Sequence, residues 1–322
     1  MKKIQNKNDK TIMKLSSSIC TVFLFVAALV WGVAFVFQSI GGELLGAYSF
    51  NAARMYMGGL IVLICTLTFA DRIGISRHPA SRPLARRQIV VGIICGVFLA
   101  IGTNMQQIAM NAGASTGKAG FVTALYIVIV PILGLFFKNK PGLNVWISVV
   151  LALVGLYFLC INGEFTLSSG DLLLMCGAVG FALQIITIDQ FGKDLDGLRL
   201  SGMEFLTCAV ISTILAIIFE IMPYEGGFGA WLTVFASGKL WISLLYMGIF
   251  SCGLGYTLQI LGQQNLNPTI ASIIMSLESV FSALSGWVIL NQTLSGRELI
   301  GCVLMFAAVV LTQIKFRKKE QI

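Results

Sequence analysis

Long apolar stretches recur ten times along the 322-residue chain, and each has about the 20 residues that a helix needs to cross a bilayer. Only 11% of the residues are charged, whereas soluble globular proteins carry about a quarter, so most of the surface is expected to face lipid. Most connections are too short to form a soluble domain. We therefore predict an all-α integral membrane protein with ten transmembrane helices, at residues 17–40, 47–70, 88–111, 116–137, 143–162, 168–189, 199–221, 239–262, 268–290 and 296–315.

Basic residues lie in the two tails and in alternate connections. Cytoplasmic loops of membrane proteins carry an excess of Lys and Arg. Ten spans with both termini in the cytoplasm place 18 of the 22 basic residues on that side. The net charge of +8 therefore indicates membrane orientation rather than nucleic-acid binding. The 18 residues are Lys2, Lys3, Lys7, Lys10, Lys14, Arg72, Arg77, Arg82, Arg86, Arg87, Lys138, Lys140, Lys193, Arg199, Lys315, Arg317, Lys318 and Lys319.

Residues that could bind a metal or act in catalysis are sparse. The only histidine, His78, lies in a charged loop, and the eight cysteines are scattered singly through apolar stretches without a CxxC pair. The sequence also lacks the Gly-rich Walker motif of ATP-driven pumps. We predict no metal, no cofactor and no enzymatic activity.

An internal repeat appears when the chain is shifted against itself by 152 residues, which aligns Gly96–Leu143 with Gly248–Ser295 without a gap. Nine of the 48 pairs are identical. Polar residues, which are rare in spans, align with polar residues at a spacing of i, i+3 and i+7, which is one helix face. The aligned trios are Asn104, Gln107 and Asn111 with Tyr256, Gln259 and Gln263.

Five spans in each half require the second half to enter the membrane from the opposite side. We therefore predict two inverted repeats, residues 17–162 and 168–315, flanked by basic cytoplasmic tails at 1–16 and 316–322. Inverted repeats that surround a site near the bilayer midplane are a recurring architecture of secondary transporters. The repeat thus points to a carrier.

Four segments are typical of one transporter family. They are Ala28–Phe35 (ALVWGVAF), Arg54, Ala119–Phe121 followed by Val130-Pro131, and Ser276–Phe281 (SLESVF) through Gly286. Together they resemble the drug/metabolite transporter superfamily, in its ten-span EamA branch. Two positions depart from the pattern: Ser279 replaces the usual Pro, and Asn291-Gln292 stands where Gly-Glu is common.

The resemblance implies a location in the bacterial inner membrane and a central cavity among spans one to four and six to nine. Spans five and ten would lie at the periphery, where a homodimer would form its contact. It implies a small-molecule substrate without naming that substrate.

Ionisable side chains cost roughly 2.5–3.5 kcal/mol at the centre of a membrane-spanning helix and therefore mark candidate transport residues. Glu278 lies near the middle of the ninth span, and we interpret it as the partner of a substrate ammonium or as a protonation site; a structural carboxylate is the alternative. Its repeat mate is Tyr126. Arg54 and Lys118 are candidates for gating or charge pairing, or extend to the interface. Glu204 lies near the cytoplasmic end of its span and is interpreted as an interfacial charge, with a role in transport as the alternative.

Polar and aromatic residues that share a helix face are predicted to line the cavity. The alternatives are ring packing and hydrogen bonds that join helices. The predicted lining residues are Trp31, Phe35, Gln38, Asn104, Gln107, Tyr126, Gln184, Tyr256, Gln259 and Glu278.

These features predict a secondary transporter of small metabolites, above all of amino acids or related compounds. The predicted direction is export, and the predicted mechanism is alternating access. Coupling to protons is part of this hypothesis. Efflux of amphipathic or lipid-linked compounds is the alternative within transport. A membrane scaffold or sensor that transports nothing is the alternative from another class, but it would not require matched polar stripes in both halves.

Overall fold

A computed structural model describes residues 15–70, 81–114, 116–139, 141–161, 168–290 and 295–314. Within these ranges the regular structure is helical throughout, without a strand. The α-helices are α1 (Ser17–Gly42), α2 (Ala47–Cys65), α3 (Arg82–Asn111), α4 (Thr116–Ala124), α5 (Tyr126–Phe136), α6 (Leu143–Cys160), α7 (Ser169–Phe191), α8 (Gly197–Ala216), α9 (Gly227–Thr233), α10 (Gly238–Leu245), α11 (Thr257–Gln263), α12 (Pro268–Met275), α13 (Glu278–Leu290) and α14 (Gly296–Gln313).

Three helices continue into π-helical turns. Thr66–Ala70 extends α2, Ile217–Ile221 extends α8, and Tyr246–Tyr256 joins α10 to α11. A π-helical turn holds an extra residue and therefore rotates the residues that follow relative to a regular α-helix. The rotation matters at Tyr246–Tyr256, because this segment leads directly into predicted cavity residues.

Eight helical stretches of the described chain are long and apolar enough to cross a membrane, which confirms an all-α, multi-pass membrane protein. They overlap eight of the ten predicted spans and run over Ser17–Gly42, Ala47–Thr68, Arg82–Asn111, Lys118–Phe136, Ser169–Phe191, Gly197–Ile221, Gly238–Gln263 and Pro268–Ile289. The spans predicted at 143–162 and 296–315 contain α6 and α14, which are helical but are not among the eight. Ten spans therefore stay a prediction.

The orientation also stays a prediction. Residues 1–14 and 315–322 lie outside the described residues, so the two basic tails are described only at residues 15 and 16. The same holds for His78 and for seven basic residues of the connections and C-terminus, Arg72, Arg77, Lys140, Lys315, Arg317, Lys318 and Lys319.

Helix α3 begins at Arg82, six residues before the predicted start of the third span at 88. Ser81 precedes it in an extended conformation, and its hydroxyl oxygen accepts a hydrogen bond from the Leu84 amide at 3.4 Å. Pro83 stands in the first turn, where its missing N–H is not needed. These two local signals start the helix among charged residues that hydropathy alone assigns to a loop.

Two predicted spans are broken near their middles. The fourth is divided at Leu125 into α4 and α5, and the ninth is divided at Ser276 and Leu277 into α12 and α13. At both breaks the amide bonds to the carbonyl three residues back, Leu125 to Val122 and Leu277 to Ile274, each at 3.2 Å. Pro131 does not cause the first break, because it lies inside α5, six residues later.

Long helices pack in pairs: α1 with α13, α2 with α8, α3 with α7, and α6 with α14. Glycine allows the last pair to approach until backbone meets backbone. A Cβ atom on Gly155 would lie 3.0 Å from the carbonyl oxygen of Gly301, and one on Gly301 would lie 2.7 Å from that of Gly155. Small residues permit this kind of approach between membrane helices.

Candidate functional site

A central cavity is enclosed by helices α1 to α5 and α7 together with the segment from the π-helical turn to α13. It contains about 510 Å³ of space that protein atoms do not fill, part of it open to solvent. Helices α6 and α14 contribute no residue to its lining. The lining residues are Trp31, Ala34, Phe35, Gln38, Arg54, Gln106, Thr123, Tyr126, Phe181, Gln184, Ile185, Ser251, Tyr256, Gln259, Met275 and Glu278.

The breaks in the two divided spans meet at the cavity. Tyr126 is the first residue of α5, and Glu278 is the first residue of α13. The Tyr126 hydroxyl donates a hydrogen bond of 3.2 Å to Oε1 of Glu278, and both residues are buried. The two residues are 152 residues apart in the chain. The predicted repeat mates are therefore in direct contact.

Arg54 also lines the cavity and is 2% exposed. Nε and Nη2 of its guanidinium have no hydrogen-bond partner in the described part of the chain. Its Cζ atom lies 5.9 Å from the ring centroid of Phe50. A buried cation without an anion is unfavourable. One sequence-based prediction pairs Arg54 with a carboxylate. No described carboxylate lies within 4.0 Å of Arg54, so the described residues do not form that pair.

A chain of amide side chains leads from the cavity wall to a second buried carboxylate. Gln259 Nε2 donates to Gln184 Oε1 at 2.9 Å, and Gln184 Nε2 donates to Glu204 Oε1 at 2.7 Å. Glu204 is 0% exposed, and its Oε2 atom has no partner among the described residues. The interpretation of Glu204 as an interfacial charge is therefore wrong. Close packing of α8 against α2 and α3 buries this side chain although it is only eight residues into its helix.

On the other wall, Gln38 of α1 is joined to α3 and α4 by amide hydrogen bonds. Gln38 Nε2 donates to Gln106 Oε1 at 3.1 Å, and Gln106 Nε2 donates to Thr123 Oγ1 at 3.0 Å. All three residues line the cavity. Gln106 and Thr123 are not among the residues predicted from the sequence, because the polar stripe of α3 is assigned there to the neighbouring Gln107.

The structure corrects the placement of Asn104 and Gln107, which do not belong to the cavity lining. Asn104 Oδ1 accepts from Asn51 Nδ2 at 2.9 Å, and Asn104 Nδ2 donates to Ser212 Oγ at 2.9 Å. Gln107 Nε2 donates to the Gln38 carbonyl at 3.3 Å. Both side chains thus join neighbouring helices, which is the alternative interpretation of the stripe.

Their aligned counterparts, Tyr256 and Gln259, do line the cavity. The two stripes differ because α3 is a regular α-helix, whereas the π-helical turn Tyr246–Tyr256 precedes α11. An extra residue shifts the helical phase by about 100°. Two aligned stripes therefore face different surroundings.

Aromatic rings of α1 and α7 lie against glycines of the opposite half. A Cβ on Gly255 would lie 2.6 Å from Nε1 of Trp31, and a Cβ on Gly102 would lie 2.7 Å from the Phe181 ring. Trp31 donates to the Ser251 carbonyl at 3.2 Å and packs on Tyr256 with 4.8 Å between ring centroids. The rings thus have fixed positions in the wall of the cavity.

Lys118 lies away from the cavity lining, at the end of α4. Its Nζ is 2.8 Å from Oδ2 of Asp171 in the first turn of α7. Asp171 is 1% exposed and also accepts hydrogen bonds from the amide and hydroxyl of Ser168, at 2.6 Å and 3.0 Å. Lys118 is therefore paired with a charge, and it joins the two helices at this end of the bundle.

Known proteins support a transport role for this architecture. The sequence model of the EamA-like transporter family matches residues 18–161 and again residues 168–314. An uncharacterized transporter of Archaeoglobus fulgidus is 24% identical over 295 residues, which cover 91% of this chain and 85% of that protein. The uncharacterized inner membrane transporter YedA of Escherichia coli K12 is 22% identical, with coverage of 91% and 90%.

The threonine/homoserine exporter RhtA of Salmonella typhimurium is 28% identical over 229 residues, which cover 65% of this chain and 72% of that protein. A solved crystal structure, 20% identical in sequence, superimposes with a TM-score of 0.73 over 92% of this chain and 97% of its own, which shows a shared fold. The relatives are transporters and not enzymes. Because the family model matches both halves of the chain, the protein belongs to the EamA-like transporter family.

Proposed function

We propose that the protein is a secondary carrier that exports amino acids or closely related zwitterions through the central cavity. The observation that carries the proposal is Arg54, a buried cation at the cavity whose Nε and Nη2 have no partner in the described part of the chain. The carboxylate of a substrate would supply the missing anion. Glu278, in the same cavity, would bind the substrate ammonium. Export is favoured by the similarity to RhtA.

The transport cycle that we propose depends on ten spans arranged as two inverted five-helix repeats. Three observations support the repeat. The family model matches the chain twice, the breaks at Leu125 and Leu277 are separated by the predicted repeat distance, and Tyr126 contacts Glu278 at that same separation. Residues that contact their own repeat mates are expected on a twofold axis between the halves.

Alternating access would open one end of the bundle at a time. Lys118 and Asp171 join α4 to α7 at one end. At the other end of the same broken span, Asn267 Nδ2 donates to Asn139 Oδ1 at 2.9 Å, which joins the start of α12 to the residues after α5. We propose that these two contacts part in different states. In this proposal Lys118 is a gate residue, which agrees with one of the interpretations made from the sequence.

Proton coupling through Glu278 is part of the proposal, because this carboxylate lies at the cavity and at a helix break. A bacterial inner-membrane location with both termini in the cytoplasm, and a homodimer through α6 and α14, also remain predictions.

The test is counterflow of radiolabelled amino acids into proteoliposomes that contain the purified protein, with and without a pH gradient. We expect Glu278→Gln to remove the effect of the gradient and Arg54→Gln to weaken substrate binding about 10–100-fold, since a charge-assisted hydrogen bond contributes roughly 1.5–3 kcal/mol. The matched control is Lys239→Gln, which changes an exposed residue outside the cavity. Unchanged transport and pH dependence in both cavity variants would refute the assigned roles.

Efflux of amphipathic compounds is the second candidate, because five aromatic rings line the cavity. The rings are those of Trp31, Phe35, Tyr126, Phe181 and Tyr256. Counterflow of an aromatic cation in the absence of any amino-acid transport would favour this candidate over the first.

A further inference from the structure

A second concave region lies outside the bundle, where the first turns of α3 face the end of α7. This groove contains about 1170 Å³ of unfilled space, including open solvent. Arg82, Arg86 and Arg87 line one part of it, and the rest of its wall is apolar. The central cavity and this groove share no residue.

The apolar part of the groove continues along the membrane-spanning part of α3. Val90 is 45% exposed and Ile94 is 40% exposed, while Phe191, the last residue of α7, is 46% exposed. Both helices are long and apolar enough to cross a bilayer. Exposed apolar side chains on such helices are covered by acyl chains, because water is absent at that depth. The apolar part of the groove therefore fits the acyl chain of a lipid.

The charged part of the groove selects among lipids. Arg87 is held in place, because its Nη2 donates to the Phe191 carbonyl at 3.1 Å and its Nη1 is 3.9 Å from the largely exposed Asp194. Arg82 and Arg86 have no carboxylate of the described chain within 4.0 Å. Guanidinium groups bind phosphate oxygens through two parallel hydrogen bonds. The groove therefore favours an anionic headgroup over a neutral one.

The length of the groove matches a phospholipid. Arg82, Arg86, Val90 and Ile94 follow one another at every fourth position and so form one stripe of α3. The stripe runs along about 18 Å of helix, at 1.5 Å per residue. Its charged end would contact the headgroup, and its apolar end would contact the upper part of an acyl chain.

We propose that this groove is a binding site for an anionic phospholipid, with the phosphate held by Arg82 and Arg86 and an acyl chain lying over Val90, Ile94 and Phe191. The site is distinct from the transport cavity, so this proposal does not depend on the identity of the transported substrate. Basic pockets between membrane helices are known to select anionic lipids by this combination of charge and apolar contact.

The test is native mass spectrometry of the purified full-length protein titrated with cardiolipin, phosphatidylglycerol or phosphatidylcholine. We expect cardiolipin and phosphatidylglycerol to bind more tightly than phosphatidylcholine. The double variant Arg82→Gln/Arg86→Gln should weaken binding of the anionic lipids roughly thirtyfold, as the loss of two arginine contacts at the membrane surface implies. The control Lys239→Gln/Arg297→Gln removes the same net charge elsewhere on the protein and should leave the affinity within twofold.

A second variant separates a lipid from a free anion. Val90→Ser/Ile94→Ser should weaken binding of both anionic lipids while leaving all three arginines in place. Equal binding of cardiolipin to the arginine variant and to its control would overturn the proposal. So would saturation of the site by inorganic phosphate or glycerol 3-phosphate at the concentrations at which the lipids bind, because a free anion would then be the ligand.

Discussion

The guanidinium of Arg54, whose Nε and Nη2 have no partner in the described part of the chain, leads to an unusual expectation: its removal should stabilise the protein while it weakens substrate binding. Methionine at position 54 would keep much of the apolar volume of the side chain without its charge. Replacing buried ionic groups with apolar residues of similar volume can stabilise a protein by about 1–4 kcal/mol. The contact with Phe50 at 5.9 Å offsets part of this gain, by about 0.5–2 kcal/mol.

The net expectation for Arg54→Met is therefore a gain of roughly 0.5–2 kcal/mol, which corresponds to a rise of roughly 1–4 °C in the midpoint of thermal unfolding for a chain of this length. The midpoint would be measured for the purified protein in one detergent without substrate. Saturating substrate should then raise the midpoint of the unsubstituted protein, by about 2.7 kcal/mol of stabilisation at 100 times the dissociation constant. At the same substrate concentration Arg54→Met should gain only about 0.4–1.4 kcal/mol, because binding weakened 10–100-fold leaves the concentration at 1–10 times its dissociation constant.

The matched comparison is Lys118→Met, which also removes a cation but leaves Asp171, 1% exposed, without its ion-pair partner. Breaking a buried pair costs roughly 3–5 kcal/mol, and partial exposure of Lys118 places the expected loss at or below the lower end of that range. The two variants should shift the midpoint in opposite directions. If Arg54→Met lowers the midpoint as Lys118→Met does, Arg54 has a structural role and the argument for a substrate carboxylate fails.

Three further substitutions test other parts of the site. Glu204→Leu removes the acceptor that holds Gln184 and should raise the apparent KM for substrate about tenfold. Glu204→Gln keeps an acceptor oxygen and should raise the KM less. Equal KM values for these two variants would contradict the role of Glu204 in positioning Gln184. Gly255→Leu should displace Trp31, which would change the tryptophan emission spectrum, and should strongly lower the transport rate. The control Gly229→Leu should change neither, because nothing lies within 4 Å of the Cβ position of Gly229. Ser279→Ala removes only the Ser279 hydroxyl, which is 3.4 Å from the Gly120 carbonyl, and should shift the unfolding midpoint by less than about 3 °C, because a neutral hydrogen bond contributes roughly 0.5–1.5 kcal/mol; a larger loss would show that the hydroxyl is needed for more than this bond.

Hydropathy predicts the multi-pass membrane class correctly, and eight of the ten predicted spans overlap helices that are long and apolar enough to cross a bilayer, because a helix in lipid has to be apolar over its full length. The repeat register, which depends on the sequence alone, also pairs Tyr126 with Glu278, and these two side chains are in contact. This pairing is informative because ionisable residues such as Glu278 are rare inside a membrane.

The facing of individual side chains is harder to predict. In a helix that is apolar on all sides, periodicity does not distinguish the side that faces lipid from the side that faces protein. Gln106 and Gln107 differ by one position, yet the first lines the cavity and the second bonds to the backbone of α1. The sequence indicates only the depth of Glu204, but burial also depends on how closely α8 packs on its neighbours.

The helix breaks are not predictable from the sequence either. Leu125 and Leu277 are ordinary apolar residues, and Pro131, the one residue that suggests a distortion, lies within a helix. The breaks lie where the two divided spans meet, beside the contact between Tyr126 and Glu278. Alignment with relatives also does not predict which side chains of Tyr246–Tyr256 face the cavity. An extra residue in a helical turn rotates the side chains that follow without changing the order of residues that an alignment compares.

The contact between Gly155 and Gly301 bears on how the molecule can move. Side chains at an ordinary helix interface can change rotamer and let the helices slide, but here the peptide groups themselves touch, so sliding would require the two helices to separate first. We therefore expect α6 and α14 to keep their relative position while the cavity helices move during the proposed transport cycle. A covalent cross-link between these two helices should then leave the turnover rate intact, whereas a cross-link between α4 and α7 should stop the cycle.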